Sequence, residues 1–292
     1  MSLTICEVGP RDGLQNEARV LPAAERAELV QRLVVCGIRR IETTSFVHSG
    51  RVPAMDGAEQ VTALLDRLPG VIYSGLVLNE RGYLRLRGTG LDEVRMVIAC
   101  TDTFSGRNAG LQMRDAIAAA ERVARQARTD GLRVSITLAV AFGCPFEGRT
   151  PPARVMSLVE RLCAAAPDEV VLADTIGVAA PREVQRLVAS SAAAGVPVGV
   201  HMHDTRNTGL ANVYAALESG AQVIDSAVGG SGGCPFAPGA AGNLATEDLV
   251  YALERDGIDT GVQLEALIEV AGWLEQRLGH PLDGHLHRVG IA

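Results

Sequence analysis

The sequence predicts a (β/α)8 barrel, the TIM-barrel fold, with an extra helix at its C-terminus. Short β-rich runs, eight in all, alternate with longer amphipathic runs over about 250 residues, the usual size of this fold. Several of the short runs end in acidic or imidazole side chains, and such barrels carry their functional residues at the carboxyl ends of the strands. An open doubly wound sheet is the alternative. It is less favoured because no G-x-G-x-x-G motif follows the first strand.

The expected elements follow changes in the periodicity of apolar residues. Strands are predicted over residues 3–8, 40–44, 71–77, 93–99, 133–141, 170–173, 198–202 and 223–228. Helices are predicted over residues 23–36, 58–67, 111–129, 154–165, 181–194 and 210–219. Residues 260–292 are expected to add a helix and a tail that close the barrel. Because no linker or low-complexity segment interrupts the chain, residues 1–292 are expected to form one catalytic barrel domain.

The composition excludes several classes of function. The 27 basic and 34 acidic residues give a net charge of −7, and the aromatic residues are one Trp, four Tyr and five Phe. Such a chain lacks the basic groove and the stacking platform of a nucleic-acid-binding protein. No apolar stretch reaches the 18 or so residues of a membrane span, and no signal peptide is visible at the N-terminus. A cytoplasmic protein that binds neither nucleic acid nor membrane is therefore expected.

All 27 basic residues are arginine. The absence of lysine excludes a Schiff-base lysine, a PLP-binding lysine and a Walker A lysine. Any carbonyl chemistry must then use a metal ion, arginine or backbone dipoles to hold developing negative charge. The six cysteines form no C-x-x-C pair, so neither a disulfide framework nor a thiolate zinc site is indicated.

The first candidate motif directly follows the first strand. Residues 9–17 read GPRDGLQNE, which would place Arg11 and Asp12 at the mouth of the barrel. A carboxylate beside a fixed cation fits a metal-binding and catalytic pair. A surface ion pair in a glycine turn fits the local sequence equally well, so both interpretations stay open.

The second motif is an H-x-H pair, His201 and His203, at the end of the seventh strand. Side chains alternate along a strand, so two histidines two residues apart point to the same side and can reach one ion. His285 and His287 repeat this spacing in the polar tail. We interpret the tail pair as incidental, because only the first pair follows a predicted strand.

The third motif is the glycine-rich run VGGSGGCPFAPGAAGN, residues 228–243, after the eighth strand. Glycines allow positive φ and close approach of backbone to ligand, which suits a lid that carries Cys234 over a site. The alternative is an ordinary loop with a chance cysteine. GCPF also occurs at residues 143–146, so the glycine-rich context is what favours Cys234 over Cys144.

Two acids, Glu42 and Asp174, end the second and sixth strands. A buried strand-end carboxylate needs a partner, because isolated buried charge is costly. These acids would either orient Arg11 and the metal ligands or bridge loops, and both roles stay open.

A mixed set of oxygen and imidazole ligands completes the candidate site. It comprises Asp12, His201, His203 and Asn243 and contains no thiolate. Such a set favours Mg²⁺ or Mn²⁺, with Mn²⁺ tolerating imidazole better, over zinc.

These motifs resemble those of hydroxymethylglutaryl-CoA lyase, a family of the metal-dependent lyase and Claisen-condensing TIM-barrel superfamily. The resemblance covers nearly the whole chain. Its most specific stretches are EVGPRDGLQNE, IETTSFV followed by VPAMDGAE, DTIGV, HMHDT and GGSGGCPFAPGAAGNLATEDLVYALE. It implies cleavage of hydroxymethylglutaryl-CoA to acetyl-CoA and acetoacetate. By the family pattern, the metal ligands match Asp12, His201, His203 and Asn243, the catalytic arginine matches Arg11, the mobile-loop cysteine matches Cys234, and the supporting acids match Glu42 and Asp174.

The resemblance also implies how these residues divide the reaction. Substrate oxygens would chelate the metal, which lowers the pKa of the tertiary hydroxyl. Asp12, or a water that it positions, would remove that proton. Arg11 would hold the enolate oxygen, and Cys234 would protonate the enolate carbon.

An acyl-CoA is the partner that the resemblance implies. Residues 103–108, after the fourth strand, resemble the CoA-side loop of the family, so Arg107 and Asn108 are candidate CoA contacts. A solvated loop arginine explains Arg107 equally well. A homodimer is left open.

Residues 48–51 and 206–208 differ from the segments common in the best-known members, and they flank the expected mouth. This leaves the exact acyl-CoA open. One alternative is therefore a lyase of the same family that acts on another hydroxyacyl-CoA. A more distant one is a non-catalytic structural barrel, and the presence of every candidate site residue argues against it.

Overall fold

Eight parallel strands close into a barrel in the computed structural model, which describes residues 3–233 and 241–291. They are β1 (Thr4–Glu7), β2 (Arg40–Ser45), β3 (Ile72–Val77), β4 (Glu93–Ala99), β5 (Arg133–Ala139), β6 (Glu169–Asp174), β7 (Val198–Met202) and β8 (Val223–Ser226). Each strand pairs with its neighbour in the chain, and β1 pairs with β8 to close the barrel. The predicted (β/α)8 fold is confirmed.

Helices surround the barrel. They are α1 (Ala23–Val35), α2 (Ala58–Ala63), α3 (Glu80–Arg87), α4 (Asp102–Ala109), α5 (Met113–Thr129), α6 (Pro152–Cys163), α7 (Pro181–Ala193), α8 (Gly209–Glu218), α9 (Thr246–Arg255), α10 (Leu264–Leu278) and α11 (Leu286–Val289). The predicted extra helix is α10, which packs against α1 and α9. Among the described residues, none of the helices combines the length and the apolar character that a membrane span requires.

The longest helix, α5, illustrates how apolar spacing directs packing. Its buried residues include Ala116, Ala120, Val123 and Ala127, which share one face at helical spacing. This face lies against β4 and β5. The small alanines let the helix approach the strands closely.

Ion pairs fill part of the barrel interior, where branched apolar side chains are usual in this fold. Arg40, Glu93 and Glu169 are the first residues of β2, β4 and β6, and Arg40 donates to both carboxylates across the barrel. Further along, Arg95 donates to Asp225 at 2.7 Å. All five side chains are almost fully buried. Removing one partner of such a pair costs about 3–5 kcal/mol, because it leaves a buried charge uncompensated.

A turn of π-helix, Gly9–Gly13, follows β1 and carries the first sequence motif. Glu7 ties this turn to the end of β8: its Oε1 accepts from Gly9 N at 2.7 Å and from Val228 N at 3.0 Å. Its Oε2 accepts from Thr246 Oγ1 at 2.6 Å. Burial raises the pKa of Glu7 to about 7.

The C-terminal tail folds back onto α9 and α10. His285 contacts Asp248, and His287 lies between Glu247 and Glu275. His285 caps α11 and His287 lies within it, so the two side chains do not share one side as strand residues would. Each histidine instead contacts acidic residues of α9 or α10: His285 contacts Asp248, and His287 contacts Glu247 and Glu275.

Candidate active site and metal centre

His201 and His203 converge at the carboxyl end of β7. The Nε2 atoms of the two rings lie 3.2 Å apart, and both residues are buried. Strand alternation brings them to the same side of the barrel wall, as predicted. Two ring nitrogens that face each other at this distance can bind one cation.

Asp12 and Asn243 lie next to this pair of histidines. Asp12 Oδ2 is 3.8 Å from His201 Nε2, and Asn243 Nδ2 donates to Asp12 Oδ2 at 3.0 Å. A backbone bridge joins Asn243 to His203. Ligand atoms of Asp12, His201 and His203 all lie within 4.8 Å of one another. The donor chemistry and the spacing fit a divalent cation. The Asn243 amide nitrogen donates to Asp12 and to Ser231 O, so its amide oxygen is the candidate atom for a fourth ligand.

Burial and neighbouring charges shift the pKa values of these groups. Burial alone raises the pKa of Asp12, but Arg11 and the two histidines hold it well below its usual range. Burial and the neighbouring His201 lower the pKa of His203 to about 3. Burial also opposes the charge of His201, but its contacts with Asp225 and Asp12 raise its pKa overall. At neutral pH, Asp12 is ionised and His203 is neutral, which are the forms that bind metal, whereas the raised pKa of His201 means that a bound cation would compete with its proton.

Arg11 is clamped between two carboxylates beside this centre. Its Nε donates to Glu42 Oε2 at 2.8 Å, its Nη2 lies 2.7 Å from the same oxygen, and its Nη1 contacts Asp12. Arg11 is 8% exposed and Glu42 is fully buried. Of the two roles left open for Glu42, the geometry matches the orientation of Arg11.

Asp174 has a different environment. Its Oδ1 accepts from Val178 N and its Oδ2 from Ala179 N, each at 2.9 Å. Burial raises the pKa of this carboxyl, although the two hydrogen bonds act to lower it. Of the two roles left open for Asp174, these contacts match the bridging of loops.

A cavity opens above the four converging side chains. One part of its lining is the contiguous group Arg11, Asp12, His201 and His203, and the rest combines apolar side chains with polar ones such as Gln15, Asn16, Asn108 and Asp225. The apolar lining includes Val47, Val52, Leu76, Leu78, Val97 and Phe104. Such a cavity can hold a small oxygen-rich group beside Arg11 and Asp12 and also contact an aliphatic chain.

The segment 103–108 was expected to be a loop and is instead part of α4, which is a correction. Asp102 in the first turn favours the start of this helix, and Gly110, with φ of +69°, ends it. Asn108 lines the cavity. Arg107 is stacked on Phe146, with its guanidinium carbon 4.1 Å from the ring centroid.

The glycine-rich run begins beside the metal centre. Gly232 and Gly233 line the cavity, and a Cβ on Gly242 would lie 1.5 Å from Gly232 O, so only glycine fits this crossing. Cys234, which follows Gly233, lies outside the described residues. Cys144 is buried elsewhere, where its sulfur accepts from Thr101 Oγ1 at 3.2 Å.

A model of the HMGL-like family matches residues 2–273. The chain belongs to the HMGL-like family. This membership indicates a carbon–carbon lyase and confirms the resemblance that the motifs suggested.

Named relatives span nearly the whole chain. The (R)-citramalyl-CoA lyase of Chloroflexus aurantiacus is 40% identical over 99% of this chain and 95% of its own length. The hydroxymethylglutaryl-CoA lyase YngG of Bacillus subtilis is 39% identical over 96% of this chain and 94% of its own length. A similar solved structure is that of an HMG-CoA lyase from Acinetobacter baumannii in complex with coenzyme A and 3-methylmalate. Its comparison with this chain gives a TM-score of 0.94 and 37% identity, over 99% of this chain and 95% of that one.

Two residues that adjoin the candidate ligands of this HMGL-like protein were missed by the sequence analysis, and one of them, Asp225, lines the cavity. Asp225 Oδ2 lies 3.3 Å from His201 Nδ1, and Asp225 is paired with Arg95. Each is a charged residue flanked by apolar residues within its strand, Arg95 between Val94 and Met96 and Asp225 after Ile224, which is the signal that the sequence offers. Their pairing gave no local signal, because 130 residues separate them in the chain.

Proposed function

We propose that this HMGL-like protein cleaves hydroxymethylglutaryl-CoA to acetyl-CoA and acetoacetate. The observation that carries the proposal is the convergence of Asp12, His201 and His203 with the clamped Arg11 at one end of a single cavity. Relatives of this name at 39% identity support the same assignment.

The reaction breaks the bond between C2 and C3 of the acyl chain. The tertiary hydroxyl loses its proton and becomes the ketone of acetoacetate, and the bonding electron pair passes to the thioester as an enolate. Protonation of the enolate carbon gives acetyl-CoA. The site must therefore remove one proton, hold one developing negative charge and return one proton.

A divalent ion, Mg²⁺ or Mn²⁺, held by Asp12, His201, His203 and Asn243 would supply Lewis-acid chemistry to the substrate oxygens. Asp12 is anionic over the whole working pH range, so it is a good ligand and a weak base. Of the two candidate bases, this favours a water that Asp12 positions.

Arg11 is proposed to hold the enolate oxygen. Its charge is permanent and its orientation is fixed by Glu42, so it needs no rearrangement when negative charge develops. Cys234 is proposed to deliver the proton to carbon, since it is the next residue in the sequence after Gly233, which lines the cavity. Asp174 is proposed to hold the loop after β6 in place.

The CoA moiety is proposed to leave the cavity past α4. Asn108 lines the cavity, and Arg107 is stacked near it with its charge available for a phosphate. The relative from Acinetobacter baumannii was solved with coenzyme A, which supports a CoA ester as the substrate.

A second candidate substrate is (R)-citramalyl-CoA, and the 40% identity over 99% of the chain favours it. Both substrates have a tertiary alcohol that carries a methyl group and an arm ending in a carboxylate. The arm of citramalyl-CoA is shorter by one methylene. Its cleavage would give acetyl-CoA and pyruvate. A single methylene changes discrimination by only about 1–3 kcal/mol in an apolar pocket, so the same site could accept both.

The test is steady-state kinetics of the purified protein on both CoA esters with Mg²⁺ or Mn²⁺ present. The keto acid that forms with acetyl-CoA identifies the substrate: acetoacetate from one and pyruvate from the other. A higher kcat/KM for hydroxymethylglutaryl-CoA is expected. A higher value for citramalyl-CoA would reassign the substrate, and release of acetyl-CoA from neither ester would overturn the proposal.

A further inference from the structure

We propose that Asp225 is a positioning residue that sets which nitrogen of His201 faces the metal centre. The proposal rests on the metal site of the proposed function, and it concerns a cavity residue that contacts His201 and is not itself one of the proposed ligands. An imidazole that binds a cation through Nε2 carries its proton on Nδ1. The orientation of such a ring depends on what accepts the Nδ1–H.

Asp225 is placed to be that acceptor. Its Oδ2 is 3.3 Å from His201 Nδ1, while His201 Nε2 points at His203 Nε2, 3.2 Å away. The two residues are register partners on adjacent strands β7 and β8, so their side chains leave the sheet on the same side. The contact is therefore dictated by the barrel and does not depend on a loop.

Arg95 holds Asp225 in turn. Its Nη2 donates to both oxygens of Asp225, at 3.0 and 2.7 Å, and its Nη1 donates to Cys6 Sγ at 2.9 Å. Arg95 is 2% exposed and Asp225 is 3% exposed. A carboxylate held by a buried guanidinium stays ionised and in one place, as an orienting acceptor must.

His203 provides an internal contrast. No hydrogen-bond partner of its Nδ1 is present in the part of the chain that the structure describes. Its position is instead set by the backbone bridge to Asn243. The two histidines are thus held by different means, and only His201 has a carboxylate behind it.

The competing explanation is that Asp225 only neutralises Arg95. Glu169 offers a matched control, since it pairs with Arg40 in the same barrel interior and is 2% exposed. Its other hydrogen-bond partner is Ser135, which is remote from the metal centre. Both Asp225→Asn and Glu169→Gln remove one buried negative charge, but only the first touches a metal ligand.

The experiment is Mn²⁺ titration of the purified protein, followed by electron paramagnetic resonance, with folding checked by circular dichroism. Asp225→Asn is expected to weaken Mn²⁺ binding by roughly 10- to 100-fold. Glu169→Gln is expected to lower Tm and leave Mn²⁺ affinity unchanged. In a His201→Ala background, Asp225→Asn should weaken binding no further. Wild-type affinity in Asp225→Asn, or an equal loss in Glu169→Gln, would overturn the proposal.

A second measurement needs no change at Asp225 and so holds even if that variant fails to fold. In ¹⁵N spectra of the Mg²⁺-loaded wild-type protein, with His201→Gln to assign the signal, His201 should show a protected Nδ1–H. A ring with its proton on Nε2 would overturn the proposal. Both measurements follow metal binding and the protons of the His201 ring, and neither depends on turnover.

The outcomes separate this proposal from the proposed function. Metal binding that depends on Asp225, in a protein that cleaves no acyl-CoA, would refute the proposed function alone. A wild-type protein that binds no Mn²⁺ would refute both.

Discussion

Arg11 and Glu42 form a buried ion pair in which Arg11 Nε donates to Glu42 Oε2 at 2.8 Å. The pair joins the turn after β1 to the interior of β2. Because one partner is on a strand, the barrel itself sets the direction of the guanidinium. A permanent positive charge is thereby fixed at the polar end of the cavity, where an enolate oxygen would develop.

Arg11→Met should lower kcat by about a hundred-fold or more and change KM much less, since the lost interaction is made mainly in the transition state. Steady-state kinetics on the preferred CoA ester checks this. Arg161→Met, which removes a half-exposed arginine paired with Glu121 on the surface, is the control and should leave both constants unchanged. An effect of Arg11→Met on KM alone would make Arg11 a binding residue.

His203→Ala should weaken Mn²⁺ binding ten-fold or more, because it removes one of the three converging ligand groups. His285→Ala is the matched control from the second H-x-H pair, since His285 is largely exposed and contacts Asp248. Isothermal titration with Mn²⁺ distinguishes them. Equal affinity in the two variants would show that His203 is not a ligand.

Cys234→Ser should fold and bind Mn²⁺ normally and yet lose most of its turnover, because a serine hydroxyl is a far weaker acid than a thiol. Cys144→Ser should keep near-normal kcat, since Cys144 is buried against Thr101. Alkylation should inactivate the wild-type protein, and saturating substrate should slow the loss. Near-normal kcat in Cys234→Ser would move the proton donor elsewhere.

Glu7→Gln should stabilise the protein at neutral and higher pH. The pKa of Glu7 is raised by burial from 4.5 to about 7, so the folded state binds the proton more tightly than the unfolded state. This contribution to stability is fully present below pH 4.5 and is lost as the pH rises to about 7. Glutamine keeps the acceptor for Gly9 and Val228 and does not ionise.

The measurement for Glu7 is urea unfolding of both proteins from pH 4 to pH 8. The free energy of unfolding of Glu7→Gln relative to wild type should increase by up to about 3 kcal/mol across this range. A difference that does not change with pH would mean that Glu7 has the same pKa in the folded and the unfolded protein, and this would contradict the prediction.

The fold was predictable because periodicity is a local property. The predicted bounds of β4 and β7 match the structure to the residue, and α10 lies within the expected C-terminal segment. Helices α3, α4 and α9 were not among the predicted helices, and α2 ends at Ala63 before the predicted residue 67. Helix α3 depends on an Asn79 cap, whose side chain accepts from Gly82 N, and its short apolar stripe gives a weak signal.

The site was predictable only where its residues follow strand ends. Arg11, Asp12 and His203 follow a strand, His201 lies one residue before the end of β7, and the four side chains line one cavity. The partnership of Arg95 with Asp225 could not be predicted, because it joins opposite parts of the chain through the barrel interior. The choice between the two roles of Glu42 or of Asp174 likewise depends on contacts that no sequence pattern encodes.

The most direct test of the account is turnover before and after removal of divalent metal. Protein dialysed against chelator and then freed of it should release no acetyl-CoA from hydroxymethylglutaryl-CoA. Addition of Mg²⁺ or Mn²⁺ should restore turnover, since the converging Asp12, His201 and His203 would again hold an ion that acts on the substrate oxygens as a Lewis acid. Full activity in rigorously metal-free protein would contradict the account.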